Sequence, residues 1–189
     1  MTETPNPHIV DADTLTGEMR PIRRCVVSMG SNLGDRLAKL QGGLDSLADT
    51  PEVWVVEVSP VYETEPVESP EGAEPFLNVV VLVDTTLPAH MLLDRALAIE
   101  SAFGRQRGEV RNAPRSLDVD LVVVGDRRAN DETLTLPHPR AHQRAFVMVP
   151  WVDVEPDAAI PGVGAVKELL EKVDRSGVVR RDDIQLEMH

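Results

Sequence analysis

Apolar residues fall along this chain in two alternating rhythms, short near-continuous runs and longer stretches spaced by three and four. Residues 22–29 form a run closed by Gly30, the pattern of a buried strand. The segment Gly30-Ser31-Asn32-Leu33-Gly34-Asp35 then reads as a turn into a helix in which Leu33, Leu37, Leu40, Leu44 and Leu47 share one face. Gly42 and Gly43 weaken that helix midway. Residues 53–64 are rich in β-formers and hold the only tyrosine, Tyr62; a solvated loop over 65–75, with Pro66, Pro70, Gly72 and Pro75, leads into a strand over 76–85. Alternation places Phe76, Asn78 and Val80 on one face of it. Pro88 suits the first turn of a helix reaching about residue 103, with Leu92, Ala96, Ile99 and Phe103 apolar.

The next strand, 117–124, has Asp118, Asp120, Val122 and Val124 on one face and Leu117, Val119, Leu121 and Val123 on the other. The order β-α-β-β-α-β points to a ferredoxin-like α+β core with a mostly antiparallel sheet. Helical or mixed segments over 146–154 and 163–173 would cover the other face, giving a three-layer α-β-α sandwich. Residues 22–175 read as a single domain, 1–21 as a flexible tail and 176–189 as a polar tail.

Composition narrows the class. At 189 residues and 42% apolar content the chain can bury a sizeable core, and with six aromatic residues that core must be aliphatic. Its one cysteine, Cys25, lies in an apolar run and reads as a small buried hydrophobe. Neither a signal peptide nor a run long enough to span a membrane is visible, so a cytoplasmic protein is expected, and a monomer. The net charge of −13 argues against nucleic-acid or anionic-membrane partners, whose phosphates attract spread basic surface. Against that background residues 105–146 carry eight arginines and six acids, an island sized for one small anionic ligand.

The chemistry concentrates there. Two aspartates two apart on a strand point the same way; they are either solvated turn residues or a pair that needs cations, and Mg²⁺ takes such carboxylates together with water and substrate phosphates. Arg105, Arg107, Arg111 and Arg115 immediately precede them, with Glu109 the only acid in that stretch, and guanidinium suits bidentate phosphate contacts. Asn78 on an apolar face must find a partner, a neighbouring backbone group or a ligand edge. Glu100 near a helix end is either a surface glutamate or placed for a ligand. His138, set between Pro137 and Pro139, is a surface residue or, beside an anion site, a phosphate or ribose donor.

Four motifs in order carry a resemblance: Gly30 to Asp35, Phe76-Leu77-Asn78, Arg111 to Asp120, and Leu136-Pro137-His138-Pro139 with Arg144-Ala145-Phe146. Over about residues 23–160 the chain resembles the 6-hydroxymethyl-7,8-dihydropterin pyrophosphokinases of folate biosynthesis. The resemblance implies transfer of pyrophosphate from ATP, as co-substrate, to the pterin hydroxymethyl group, with release of AMP. It implies that Asp118 and Asp120 hold two Mg²⁺ ions and that Arg105 and Arg115 stabilise the moving charge. Glu100, Arg107, Arg111, Arg115, Leu121, Thr135, His138 and Arg144 match nucleotide positions. Thr64, Glu65, Val67, Phe76, Asn78, Asp118 and Phe146 match the pterin pocket. Asn112, Glu65 and Pro139 depart from a tryptophan, a proline and a tyrosine found in some members. Two readings from other classes are an Asp-x-Asp transferase acting on another alcohol, which would turn over ATP without pterin, and a metal-independent ligand-binding module.

Overall fold

The computed structural model describes residues 20–65, 74–104 and 117–189. In chain order its elements are β1 (Arg23–Ser31), α1 (Arg36–Ala48), β2 (Val53–Val58), β3 (Tyr62–Thr64), β4 (Phe76–Thr85), α2 (Ala89–Ala102), β5 (Asp118–Val124), β6 (Ala129–Asn130) and β7 (Thr135–Leu136). After a short 3₁₀ turn come α3 (Ala145–Val154), β8 (Ala159–Ile160), β9 (Gly164–Ala165), α4 (Val166–Leu170) and β10 (Val178–Arg180).

The main sheet runs β10-β3-β4-β1-β5, with β2 also paired to β4, and every pairing in it is antiparallel. Placing the first strand between the third and the last is the ferredoxin-like order, and it follows from two helical crossovers that each skip one strand. The stretch expected as one strand over 53–64 is two, broken at Ser59-Pro60-Val61, so that β2 and β3 pair with successive parts of β4.

Each sheet face buries its own aliphatic cluster. Alternate residues of β1 and β4, among them Val27, Met29, Val79 and Val81, pack with Leu40, Leu44, Leu47, Leu92 and Ile99 of α1 and α2. The opposite residues, including Val26, Val80 and Leu82, pack with Val147, Met148 and Trp151 of α3 and with Val166 and Leu170 of α4. Cys25 is fully buried, in keeping with its reading as a hydrophobe.

Several expectations change. Leu33 lies before α1 and is 48% exposed, because Asp35 caps the helix by accepting from the Ala38 N–H, so the leucine face begins only at Leu37. Gly42 and Gly43 are contact points: a Cβ on Gly43 would stand 2.9 Å from Leu117 Cδ2 and 3.2 Å from Met29 Sδ, and one on Gly42 would overlap the Phe103 ring. Their lack of a side chain lets α1 sit close to the strands and to the end of α2.

Residues 176–189 do not behave as a tail. They supply β10 to the main sheet, Ile184 and Leu186 pack against the α1–α2 cluster, and Glu187 exchanges hydrogen bonds with the Gln41 side chain. Alternation along β5 also breaks, because the β1–β5 register shifts so that Val122 is an extra residue opposite Val26 and Val27. Val122 and Val123 therefore both pack on the α3 side and Val124 turns back to the α1–α2 side, opposite to the simple alternating assignment for the last two positions.

Candidate active site

Strand register assembles the site from residues far apart in sequence. Tyr62, Asn78, Gly30 and Asp118 lie abreast across β3, β4, β1 and β5, and Val80, Ser28 and Asp120 form the next row. Because a β-strand alternates faces, Asn78, Asp118 and Asp120 project from the α3 side. Phe76 and Thr64 face one another one step beyond Asn78. Gly30 has a positional reason: a Cβ there would stand 3.0 Å from Asn78 Oδ1 and 3.5 Å from the Phe76 ring. An alanine there would press on the Asn78 amide, while the Phe76 ring one step beyond would stay at ordinary contact distance.

Asn78 is buried, and its Nδ2 donates to Thr64 Oγ1 at 2.8 Å. The partner is thus a neighbouring side chain, which fixes the amide plane. In the same row the Tyr62 hydroxyl donates to Asp153 of α3, and burial first, then this hydrogen bond, pushes the phenol up to about 12. On the other side of the row α3 begins with Arg144-Ala145-Phe146, and the Phe146 ring packs partly buried against the α3-side cluster.

Arg144 ties the two halves. Its Nη1 stands 3.7 Å from Asp120 Oδ2 and its guanidinium 5.5 Å from the centre of the Phe146 ring. Asp120 remains 43% exposed at its side chain, which leaves room for a further cationic partner. The chain offers two carboxylates here, and no cluster of three or more His, Cys, Asp or Glu able to hold a metal occurs among the described residues. Such an oxygen-only pair fits Mg²⁺ completing its shell with water and phosphate oxygens, and does not fit a closed four-ligand zinc site.

Glu100 is not a surface glutamate. It is 3% exposed and its Oε1 accepts the Val119 N–H at 2.8 Å, so it fixes the backbone between the two aspartates. Leu121 is buried in the α1–α2 cluster, on the face away from the aspartates. Thr135 lies on β7, which packs beside β5, and the His138 N–H donates to the carbonyl of Val122, the bulged residue, at 2.8 Å. The bulge therefore anchors the His138 segment. The imidazole Nδ1 accepts from the Arg140 N–H at 3.1 Å, which puts the ring proton on Nε2. Burial, then the charges of Arg144 and Arg140, lowers His138 to about 4, so it is a neutral donor at physiological pH.

Glu65 is exposed at the end of β3. Val67, Arg105, Arg107, Arg111 and Arg115 lie outside the described residues. Sequence reasoning passed over Gly30 as a spacer, Arg36, Glu63 and the Tyr62–Asp153 pair. The spacer was legible as a glycine ending a strand beside two site strands; the others have no sequence signal, since their partners are distant in the chain.

Residues 26–156 match the model of the family described as 7,8-dihydro-6-hydroxymethylpterin-pyrophosphokinase (HPPK). A Methylorubrum extorquens protein named 2-amino-4-hydroxy-6-hydroxymethyldihydropteridine pyrophosphokinase is 42% identical over 83% of this chain and 98% of its own. Relatives of the same name from Mycobacterium bovis and Pseudomonas aeruginosa are 39% and 36% identical, over 86% and 84% of this chain and 89% and 97% of theirs. Among solved structures, an HPPK-DHPS crystal structure in complex with substrates matches with a TM-score of 0.60 at 13% identity, over 80% of this chain. The Plasmodium falciparum HPPK-DHPS wild type with pterin and p-hydroxybenzoate matches at 0.59 and 14%, over 83% of this chain. This chain spans 43% and 42% of those two, and the likeness at such identity is one of fold.

Proposed function

The chain belongs to the 7,8-dihydro-6-hydroxymethylpterin-pyrophosphokinase family and is a pyrophosphokinase, and from that premise we propose that it transfers the terminal pyrophosphoryl group of ATP, with two Mg²⁺ ions, to 6-hydroxymethyl-7,8-dihydropterin. The acceptor's hydroxymethyl oxygen attacks the β-phosphorus, the bond from that phosphorus to the α–β bridging oxygen breaks, AMP leaves with that oxygen, and the hydroxyl proton goes to solvent. The observation that carries the reading is the single row Asn78–Gly30–Asp118. It sets an amide able to read a ring edge two strands from a carboxylate able to hold a phosphate-bound cation.

In this reading the Thr64 hydroxyl orients Asn78 so that its remaining donor and acceptor face the pterin. Phe76 and Phe146 hold the ring from its two sides, with Glu65 at the rim, and Val67 is assigned to the same pocket from its match to the family pattern. Asp118 and Asp120 hold Mg²⁺, which supplies charge neutralisation and in-line alignment of the triphosphate. His138 Nε2–H, Thr135 and Arg144 meet the nucleotide, Leu121 supports their strand from the opposite face, and Glu100 acts by fixing the Val119 backbone beside them. Arg105 and Arg115 stabilise transferring charge, while Arg107 and Arg111 hold ATP. Phosphoryl transfer needs little covalent chemistry from protein, so positioned arginines and cations suffice as catalysts.

The test is to combine protein, ATP, Mg²⁺ and pterin, omit each in turn, and separate the adenine nucleotides by chromatography. AMP appearing only in the complete mixture is expected; ADP, or AMP without pterin, overturns the reaction or the acceptor. Asp120→Ala, run in parallel, should lose nearly all turnover with its thermal midpoint little changed. Activity within a few-fold of wild type removes the metal assignment.

A further inference from the structure

β3 is three residues long, yet it brings Thr64 to Asn78, and three residues of ladder fix a strand weakly. Each of its residues is tied by its side chain. Tyr62 reaches Asp153 and Thr64 reaches Asn78 on the α3 side, while Glu63 projects from the opposite face. There Glu63 Oε2 accepts from two guanidiniums, Arg36 Nη1 at 2.8 Å and Arg181 Nη1 at 3.0 Å.

The same Arg36 Nη1 also donates to the Pro75 carbonyl at 2.7 Å. Pro75 directly precedes Phe76, whose backbone pairs with Thr64. One guanidinium from the first turn of α1 therefore holds the end of β3 and the start of β4. Arg181 is itself fixed by a bidentate contact with Asp183, 2.9 and 2.8 Å, and its backbone N–H donates to the Val61 carbonyl at 2.8 Å. It belongs to the segment after residue 156, beyond the part of the chain that matches the family model.

We propose that Arg36, Glu63 and Arg181 are positioning residues for the acceptor pocket, setting the separation and tilt of Thr64 and Phe76 and thereby the affinity for the pterin ring. The inference rests on the acceptor assignment made above. None of the three reaches the site face, so their effect passes through the strands. Partly exposed ion pairs add little stability singly, but a carboxylate shared by two guanidiniums restricts orientation strongly.

The experiment uses the full chain and the variants Arg36→Met, Glu63→Gln and Arg36→Lys, with dissociation constants measured separately for pterin, in the presence of a non-hydrolysable ATP analogue and Mg²⁺, and for the analogue alone. Arg36→Met and Glu63→Gln should each weaken pterin about tenfold and leave the analogue within about twofold, the size of effect expected when one ligand hydrogen bond is weakened. Arg36→Lys, which keeps a charged nitrogen able to donate more than once but on a different stem, should recover part of the loss. Unchanged pterin affinity, or equal weakening of both ligands alongside a lowered thermal midpoint, overturns the proposal in favour of a purely structural network. Wild-type protein that binds no pterin would instead overturn the acceptor assignment on which it rests.

Discussion

His138 shows how one residue's chemistry is set by what surrounds it. Between two prolines its sequence context is neutral, but burial against the β5 bulge and the nearby Arg144 and Arg140 hold the imidazole at about 4. The folded value lies below the ordinary value near 6.5, so between those two pH values the unfolded chain binds the extra proton. Stability from this group is full above about pH 6.5, falls as pH drops toward 4, and does not fall further below that. At pH 5 the loss relative to pH 7 should approach about 2 kcal/mol as an upper bound. Urea unfolding of wild type and His138→Gln at pH 7 and pH 5 checks this: the variant should lose less stability over that interval, and identical losses would show that the imidazole titrates normally. The same neutrality keeps Nδ1 an acceptor for the Arg140 N–H, and so keeps the single ring proton on Nε2, over the whole physiological range.

At the scale of elements, the approach of α1 to the sheet is what places Gly30 to Asp35 beside the site. That approach depends on Gly43, whose missing side chain admits Leu117 and the Met29 sulfur. Gly43→Ala gains helix propensity of about 1 kcal/mol, while overpacking at a 2.9 Å contact costs about 1–3 kcal/mol. Because Leu117 is fully buried and immediately precedes Asp118, it has little room to move away. A net fall in thermal midpoint is expected by calorimetry, with some loss of activity because Leu117 leads into the aspartate strand; a rise would mean that Leu117 repacks freely. The bulge at Val122 works on the same scale. It turns two valines to the α3 side and presents a carbonyl to His138, so a local irregularity joins the His138 segment to the aspartate strand.

For the whole molecule, two aliphatic clusters on opposite sheet faces make a rigid base, and the site lies at one end of the sheet on the α3 side. No helix among the described residues is long and apolar enough to cross a membrane. The last residues close the structure: β10 covers the edge of β3, and Ile184 and Leu186 cover the α1–α2 cluster. Deleting residues 177–189 removes both, and two partly buried aliphatic side chains with a short ladder amount to about 2–4 kcal/mol. That should lower the thermal midpoint by roughly 4–16 °C for a chain of this size; an unchanged midpoint would show the segment to be dispensable for stability. Much of this was legible beforehand. Periodicity located the principal strands and helices and their order implied the sheet topology, because spacing is a local property that the chain carries wherever it folds; the Asp-x-Asp strand gave one edge of the candidate site, while the arginines before it lie outside the described residues. Periodicity failed at Leu33, at the Val122 bulge and over 176–189, where a cap, a register shift and a distant strand edge overrode it. The sequence alone thus determined which residues could do chemistry and the class of fold that holds them. Only tertiary structure decided that Glu100 serves the Val119 backbone, that Gly30 spaces Asn78 from Asp118, and that Arg36 meets Glu63, since those contacts depend on strand register and helix docking, which join residues that no local pattern relates.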